Sequence, residues 1–153
     1  MAIRFSTGLR NAALDSTGVR AAMASGVIRI YSGAQPVSAD NAVQGTLLME
    51  ITVDGGAFNH GSPTNGLNFD AAVGALLSKA VGETWRGTGV ADGTAGWFRF
   101  SGNPLDDGSA STTLARIDGI AAKTGGDLAV SNVTIVTGAP NTVDVFQVSM
   151  DEQ

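Results

Sequence analysis

The side chains that could do chemistry are few, and each chemistry fails on spacing. His60 is the single histidine and lies in FNHGSPTNG, a polar loop where imidazoles are usually solvated. A serine hydrolase would need an activated nucleophile beside it, yet no G-x-S-x-G elbow occurs in the chain. RGTGVADG approaches the dinucleotide-binding glycine fingerprint, but Asp92 stands at the third glycine and would repel a pyrophosphate. That stretch reads as a hairpin turn between two β segments. Asp106 and Asp107 in NPLDDGSAS offer oxygens of the kind Ca²⁺ takes. A solvated Asp-Gly turn accounts for them better, and no D-x-D-x-D-G loop accompanies them. The three glutamates, Glu50, Glu83 and Glu152, leave little material for a pair of catalytic acids. The Asn132-Val133-Thr134 sequon carries no weight without a secretion signal. The reading is therefore of a chain that is not an enzyme, with no catalytic residues, no cofactor and no metal.

One stretch asks for a partner. In GTAGWFRFSG, residues 93–102, a strand would place Phe98 and Phe100 on one face and Trp97 and Arg99 on the other. The phenylalanine face is an ordinary core face. If residues 84–90 and 95–101 form a hairpin, Trp85 falls nearly opposite Phe100 and Arg99, and an arginine stacked on a tryptophan makes an amphipathic patch. Such a patch fits a protein interface, a sugar platform or a core edge. Phe100→Ala is expected to be costly, and Arg99→Ala much less so.

The elements that must position these residues are mostly β. The first 26 residues differ: Leu9, Ala12, Ala13 and Leu14 suit a short helix, Thr17 is placed to N-cap a second, and Gly26 to C-cap it. Ahead of them Ile3 and Phe5 share one side of an extended segment, with Arg4 on the other. The segment from Met1 to about Arg10 reads as an attachment arm, against an alternative as an edge strand. From Val27 onward, apolar runs at 27–33, 46–53, 84–90, 96–100, 112–119, 127–136 and 142–150 alternate with turn signals. Residues 66–80 read as strand in their first half, with Gly74 interrupting the second. The stretch GAQPVSADNAVQG is a loop. Parity switches from Val130 to Val133 and from Val145 to Phe146 indicate bulges or strands changing sheets. The expectation is an all-β, jelly-roll-like sandwich of about eight strands with a short N-terminal helical segment, divided as 1–26 and 27–153.

Composition narrows the partners. The chain has 153 residues and is 43% hydrophobic, sufficient for one core, while only 15% of residues are charged. A net charge of −5 argues against nucleic acid, which selects a basic footprint. The absence of cysteine excludes disulfides and thiolate metal sites. No apolar run is long enough to cross a membrane and no signal-peptide pattern opens the chain, so no membrane partner and a cytoplasmic origin are expected. A charge-poor surface guards weakly against association, which favours an assembly.

The succession TGLRNAALDSTGVRAAMASGVIRIYSG, TLLMEITVDGGAF, GSPTNGLNFDAA, DGTAGWFRF and IVTGAPNTVDVF resembles small virion structural proteins of tailed bacteriophages, over nearly the whole chain. That resemblance implies a virion location and capsid decoration, or cementing. The partners it implies are the major capsid protein or other virion subunits, and the chain itself a homo-oligomer, with a trimer favoured by the three-fold positions that decoration proteins occupy. A tail or baseplate component and a carbohydrate-binding module are the alternatives. It brings no catalytic residues. Ile3, Arg4, Phe5, Trp85, Trp97 and Arg99 are the interface candidates.

Overall fold

Alternating apolar side chains form eleven short strands here, with two helices, among residues 3–150, the part of the chain that this computed structural model describes. In chain order they are β1 (Arg4–Phe5), α1 (Thr7–Leu14), α2 (Gly18–Ala22), β2 (Val27–Ser32), β3 (Leu47–Val53), β4 (Leu76–Ser78) and β5 (Trp85–Thr88). There follow β6 (Gly93–Ser101), β7 (Arg116–Ala122), β8 (Leu128–Ala129), β9 (Thr134–Ile135), β10 (Pro140–Val143) and β11 (Gln147–Ser149). The architecture is all-β and sandwich-like. Nine strands join in one sheet, whose path runs β1-β7-β6-β2-β3-β5-β10, with β8 beside β7 and β9 beside β6. A small sheet of β4 and β11 lies apart.

The parity switches locate where the chain changes partner. Val143 is buried on β10 in the large sheet, Val145 turns to solvent, and Val148 is buried again on β11 in the small one. Residues 127–136 break in the same way, β8 joining β7 and β9 joining β6. These two breaks, together with β1 at the start of the chain, raise the expected strand number of about eight to eleven.

Two faces result. Register places Ile51, Ile28, Phe100 and Ile117 side by side across β3, β2, β6 and β7, with Ile30 opposite Phe98. This apolar face packs on Phe69, Trp85 and Phe146, and Phe146 meets the Phe98 ring edge-on at 5.7 Å. Leu9, Val19 and Met23 of the helical segment and Val148 of β11 complete the same core. The first 26 residues, distinct in composition, thus share one core with the rest.

The start of the chain is tied in by hydrogen bonds. Ser6 caps α1 by accepting from the Leu9 N–H at 3.1 Å. Its hydroxyl also donates to the Leu114 carbonyl at 2.7 Å and accepts from the Arg116 N–H at 2.9 Å. Asp40, from a distant loop, takes the Thr7 N–H and hydroxyl at 2.7 and 2.6 Å. Arg4 and Phe5 pair with Asp118 and Ile117 as an edge strand, and Ile3 and Phe5 pack partly buried on the core. The free-arm expectation is thereby corrected for residues 3–10; Met1 and Ala2 lie outside the described residues. Two capping expectations also change. The Thr17 side chain makes no capping bond. Gly26 pairs with Leu67 in a bridge, where a Cβ would run into the Ser101 carbonyl, and Ser25 is the left-handed residue at φ 55°.

Phe100 is fully buried against Phe69, Trp85 and Phe146. Phe100→Ala is expected to cost about 3–5 kcal/mol in urea denaturation. A cost below about 1 kcal/mol would mean that this aromatic cluster does not organise the core.

Candidate functional site

The second face of the large sheet carries charge. In register across β1, β7, β6, β2 and β3 stand Arg4, Asp118, Arg99, Arg29 and Glu50. Like charges directly opposite one another destabilise a sheet, and here the Arg99–Arg29 neighbours are flanked by a carboxylate on each side. Arg99 meets Asp118 with both ends of its fork, Nε to Oδ1 and Nη2 to Oδ2, each at 2.8 Å. Arg29 Nε donates to Glu50 Oε2 at 2.9 Å. Next along β7, Arg116 grips Asp106 in the same bidentate way at 2.7 and 2.6 Å.

This face is not open. The loops at residues 33–46 and 102–115 lie over it, and the arginines hold them by main-chain carbonyls. Arg99 Nη2 donates to the Asn41 carbonyl at 3.0 Å. Arg116 donates to those of Ala39, at 3.3 Å, and Ser109, at 2.7 Å. Trp97 Nε1 reaches the Gln44 carbonyl at 3.2 Å. The Trp97 ring lies stacked on Tyr31, centroids 4.7 Å apart, with the Arg99 guanidinium carbon 5.6 Å from its centre. Among the described residues Arg99 Nη1 has no hydrogen-bond partner, and the nearby ring face adds a cation–π attraction for the guanidinium.

Burial therefore overturns the expected exposure of the aromatic patch. Trp97 is 0% exposed, Arg99 2% and Trp85 1%. The face assignment from alternation holds, but the second face is an interior layer. The expected hairpin is also absent: β5 pairs with β3 and β10, and β6 with β2 and β7. The connection between β5 and β6 is drawn elsewhere, with Val90 N–H on the Leu48 carbonyl and Asp92 accepting from the Thr137 N–H and hydroxyl. Trp85 meets Phe100 edge-on at 5.7 Å from across the core, and its Nε1 donates to Glu83. Of the six interface candidates, Trp85, Trp97 and Arg99 are thus interior, while Ile3, Arg4 and Phe5 are half-buried at the sheet edge.

The other candidate groups have internal duties too. Both Asp106 oxygens are on Arg116, and Asp107 accepts the Ser109 N–H in a local turn. Glu83 holds the Asn68 side-chain amide and backbone N–H together with Trp85. His60 lies in a polar cleft of about 400 Å³ with Arg29, Tyr31, Glu50 and Asp107. An arginine only donates, so His60 Nε2 accepts from Arg29 Nη2 at 3.4 Å and the Nδ1 proton goes to the Asn103 carbonyl at 3.3 Å. Among the described residues, no three His, Asp or Glu side chains are grouped to hold a metal ion. Sequence reasoning missed Arg116 and Asp118. The alternation in ARIDG could have flagged them, since its two charged residues share a face.

Burial works against both acids of this layer. It pushes the Asp118 carboxyl above the usual range, against the hydrogen bonds and charge of Arg99. For Asp106 burial is outweighed by the Arg116 hydrogen bonds, the Gly108 N–H and the charges of Arg116 and Arg99, which hold it below that range.

A second open feature involves the helices and the small sheet. A groove of about 380 Å³ runs between the two helices and the small sheet, lined mainly by Ala13, Val19, Ala72, Leu77, Val148 and Met150.

Compared with known proteins, the chain matches no family model, no curated protein and no solved structure.

Two outcomes follow from the buried layer. Removing one partner of a buried ion pair strands the other, so Arg99→Ala and Asp118→Ala should each cost about 3–5 kcal/mol, comparable to Phe100→Ala. Replacing both (Arg99→Met with Asp118→Leu) should cost less than either single change, as read in urea titrations; a double variant worse than both would deny the pairing. The second outcome is acid sensitivity. A carboxyl held low in the folded state stabilises it above about pH 4 and loses that contribution as pH falls through its folded value. Wild type should lose stability below about pH 4 more steeply than Asp106→Asn, which should already be weaker at pH 7. Parallel acid limbs in the two proteins would remove Asp106 from the account.

Proposed function

We propose that this chain is a non-enzymatic structural subunit of a tailed-bacteriophage virion, made in the host cytoplasm, that binds the capsid and stabilises it as a decoration protein. Its partner in this reading is the major capsid protein or a neighbouring virion subunit. One observation carries it on the structural side. The side chains with chemical potential serve as internal ties: Arg99 on Asp118, Arg116 on Asp106, His60 on Arg29, and Glu83 on Asn68 and Trp85. Loops tied by hydrogen bonds over a two-faced sheet suit a protein whose task is to present a surface. The phage-like segments of the sequence supply the identity of the assembly, and the low charge of 15% fits a surface meant to be covered. The sugar-platform alternative depended on exposed tryptophans, and Trp85 and Trp97 are buried.

Cryo-EM of particles produced by the genome that encodes this chain tests the reading. Density matching the domain on the head lattice is expected. Density confined to the tail or baseplate would replace decoration with the tail role, and particles without the chain by mass spectrometry would overturn the virion reading altogether.

A further inference from the structure

Of the eight asparagines in this chain, Asn65 alone is followed by glycine. Gly66 has no Cβ to hinder its nitrogen from bending back on the preceding side chain. In such a pair the glycine nitrogen loses its proton to base and attacks the asparagine Cγ. A five-membered succinimide closes, and the side-chain nitrogen leaves as ammonia. Water then opens the ring at either carbonyl. One opening leaves aspartate, and the other leaves isoaspartate, whose main chain is one carbon longer.

The fold guards both groups that this reaction joins. Asn65 lies near the end of the loop at residues 54–66, in the left-handed region at φ 60°, which asparagine tolerates. Its Nδ2 donates to the Ala57 carbonyl at 2.9 Å, and its own carbonyl accepts from the Val53 N–H at 2.9 Å. Gly66 is buried and gives its N–H to the Pro63 carbonyl at 3.2 Å. A Cβ on Gly66 would run into the Ser25 backbone. Base from solvent therefore reaches the Gly66 proton only when the loop opens. The loop itself hangs on few ties. The Thr52 hydroxyl holds the Gly56 carbonyl at 2.7 Å, and Asn103 takes the Gly61 N–H at 3.2 Å and holds the Ser62 carbonyl at 2.7 Å. Segments secured by few bonds open locally without global unfolding.

We propose that Asn65 is a latent modification site, deamidated when the 54–66 loop opens and converted to a product that cannot restore the closed loop. Aspartate has no N–H for the Ala57 carbonyl, so an oxygen would face an oxygen there. Isoaspartate inserts a carbon just before Leu67, which is fully buried and exchanges hydrogen bonds with Gly26 at 3.1 and 2.8 Å. The tight contact of Gly66 with Ser25 leaves that extra length no room. Each opening thus carries a chance of one-way change. The segment that loosens is the one that brings His60 to Arg29. The inference concerns the chain itself and stands apart from the virion reading.

Peptide mapping by mass spectrometry tests it, on the full chain held in mildly alkaline buffer with and without concentrated urea. Deamidation is read from the mass gained when an amide nitrogen is exchanged for oxygen. The four Asp-Gly pairs can pass through the same ring without changing mass, so they do not interfere. In urea, Asn65 should react first among the asparagines. In buffer its half-life should lengthen by about tenfold or more, as a modest cost of loop opening provides. Thr52→Val removes the tie to Gly56 at similar shape, so it should speed the reaction in buffer and leave the rate in urea unchanged. Asn65→Asp should fold, with hydrogen exchange of the amides at 56–66 faster than in wild type. Equal rates with and without urea, another asparagine leading in urea, a Thr52→Val rate in buffer no faster than wild type, or unchanged exchange in Asn65→Asp would each overturn the proposal.

Discussion

A guanidinium within a sheet, sealed from water, sets the terms for much of this molecule. Arg99 sits on β6, inside the nine-stranded sheet, and a charge in that position is tolerable only if it is paired and most of its protons are taken. Asp118 on the adjoining strand supplies the pair, and the Asn41 carbonyl takes a further proton. Because Asn41 belongs to a loop, the electrostatic demand of one side chain becomes a conformational constraint on a segment with no regular structure. Arg116 repeats the arrangement with Asp106 and the carbonyls of Ala39 and Ser109. Two arginines thereby define the path of two long loops.

The sheet is consequently buried on both sides by different means. On one side isoleucines and phenylalanines pack against aromatic rings and helices. On the other, polar ties and the Tyr31–Trp97 stack take the place of close apolar packing. Hydrophobic burial is non-directional and tolerates some rearrangement, whereas a bidentate ion pair accepts one geometry. The apolar layer accounts for most of the stabilisation and the polar layer for much of the specificity with which the loops lie.

This division explains what could be read from the residues in advance. Strict alternation in WFRF placed Phe98 and Phe100 on the core face correctly, because period two is a property of the backbone itself. It could not reveal that Trp97 and Arg99 would be covered, since the cover comes from residues 33–46 and 102–115, whose composition signals only loops. The nearness of Trp85 to Phe100 was derived from a hairpin that the sheet does not contain, because strand neighbours are chosen by the whole sheet, and the two rings meet edge-on across the core instead. Ile3 and Phe5 were seen to share a side, yet whether that side met the same chain or another depended on β7, more than a hundred residues away.

The two hydrogen bonds that fix Ser6 to residues 114 and 116 join positions 108 and 110 apart in sequence. The same long separation governs β1, whose partners are Ile117 and Asp118. During synthesis, the first strand therefore emerges from the ribosome well before anything exists for it to pair with. Arg99 likewise waits for Asp118, and Asp40 stands ready for Thr7 long before the sheet beneath them is whole. Loop closure over such distances slows the search for native contacts. The apolar residues beside β1 must therefore stay without their sheet partner until β7 has been made.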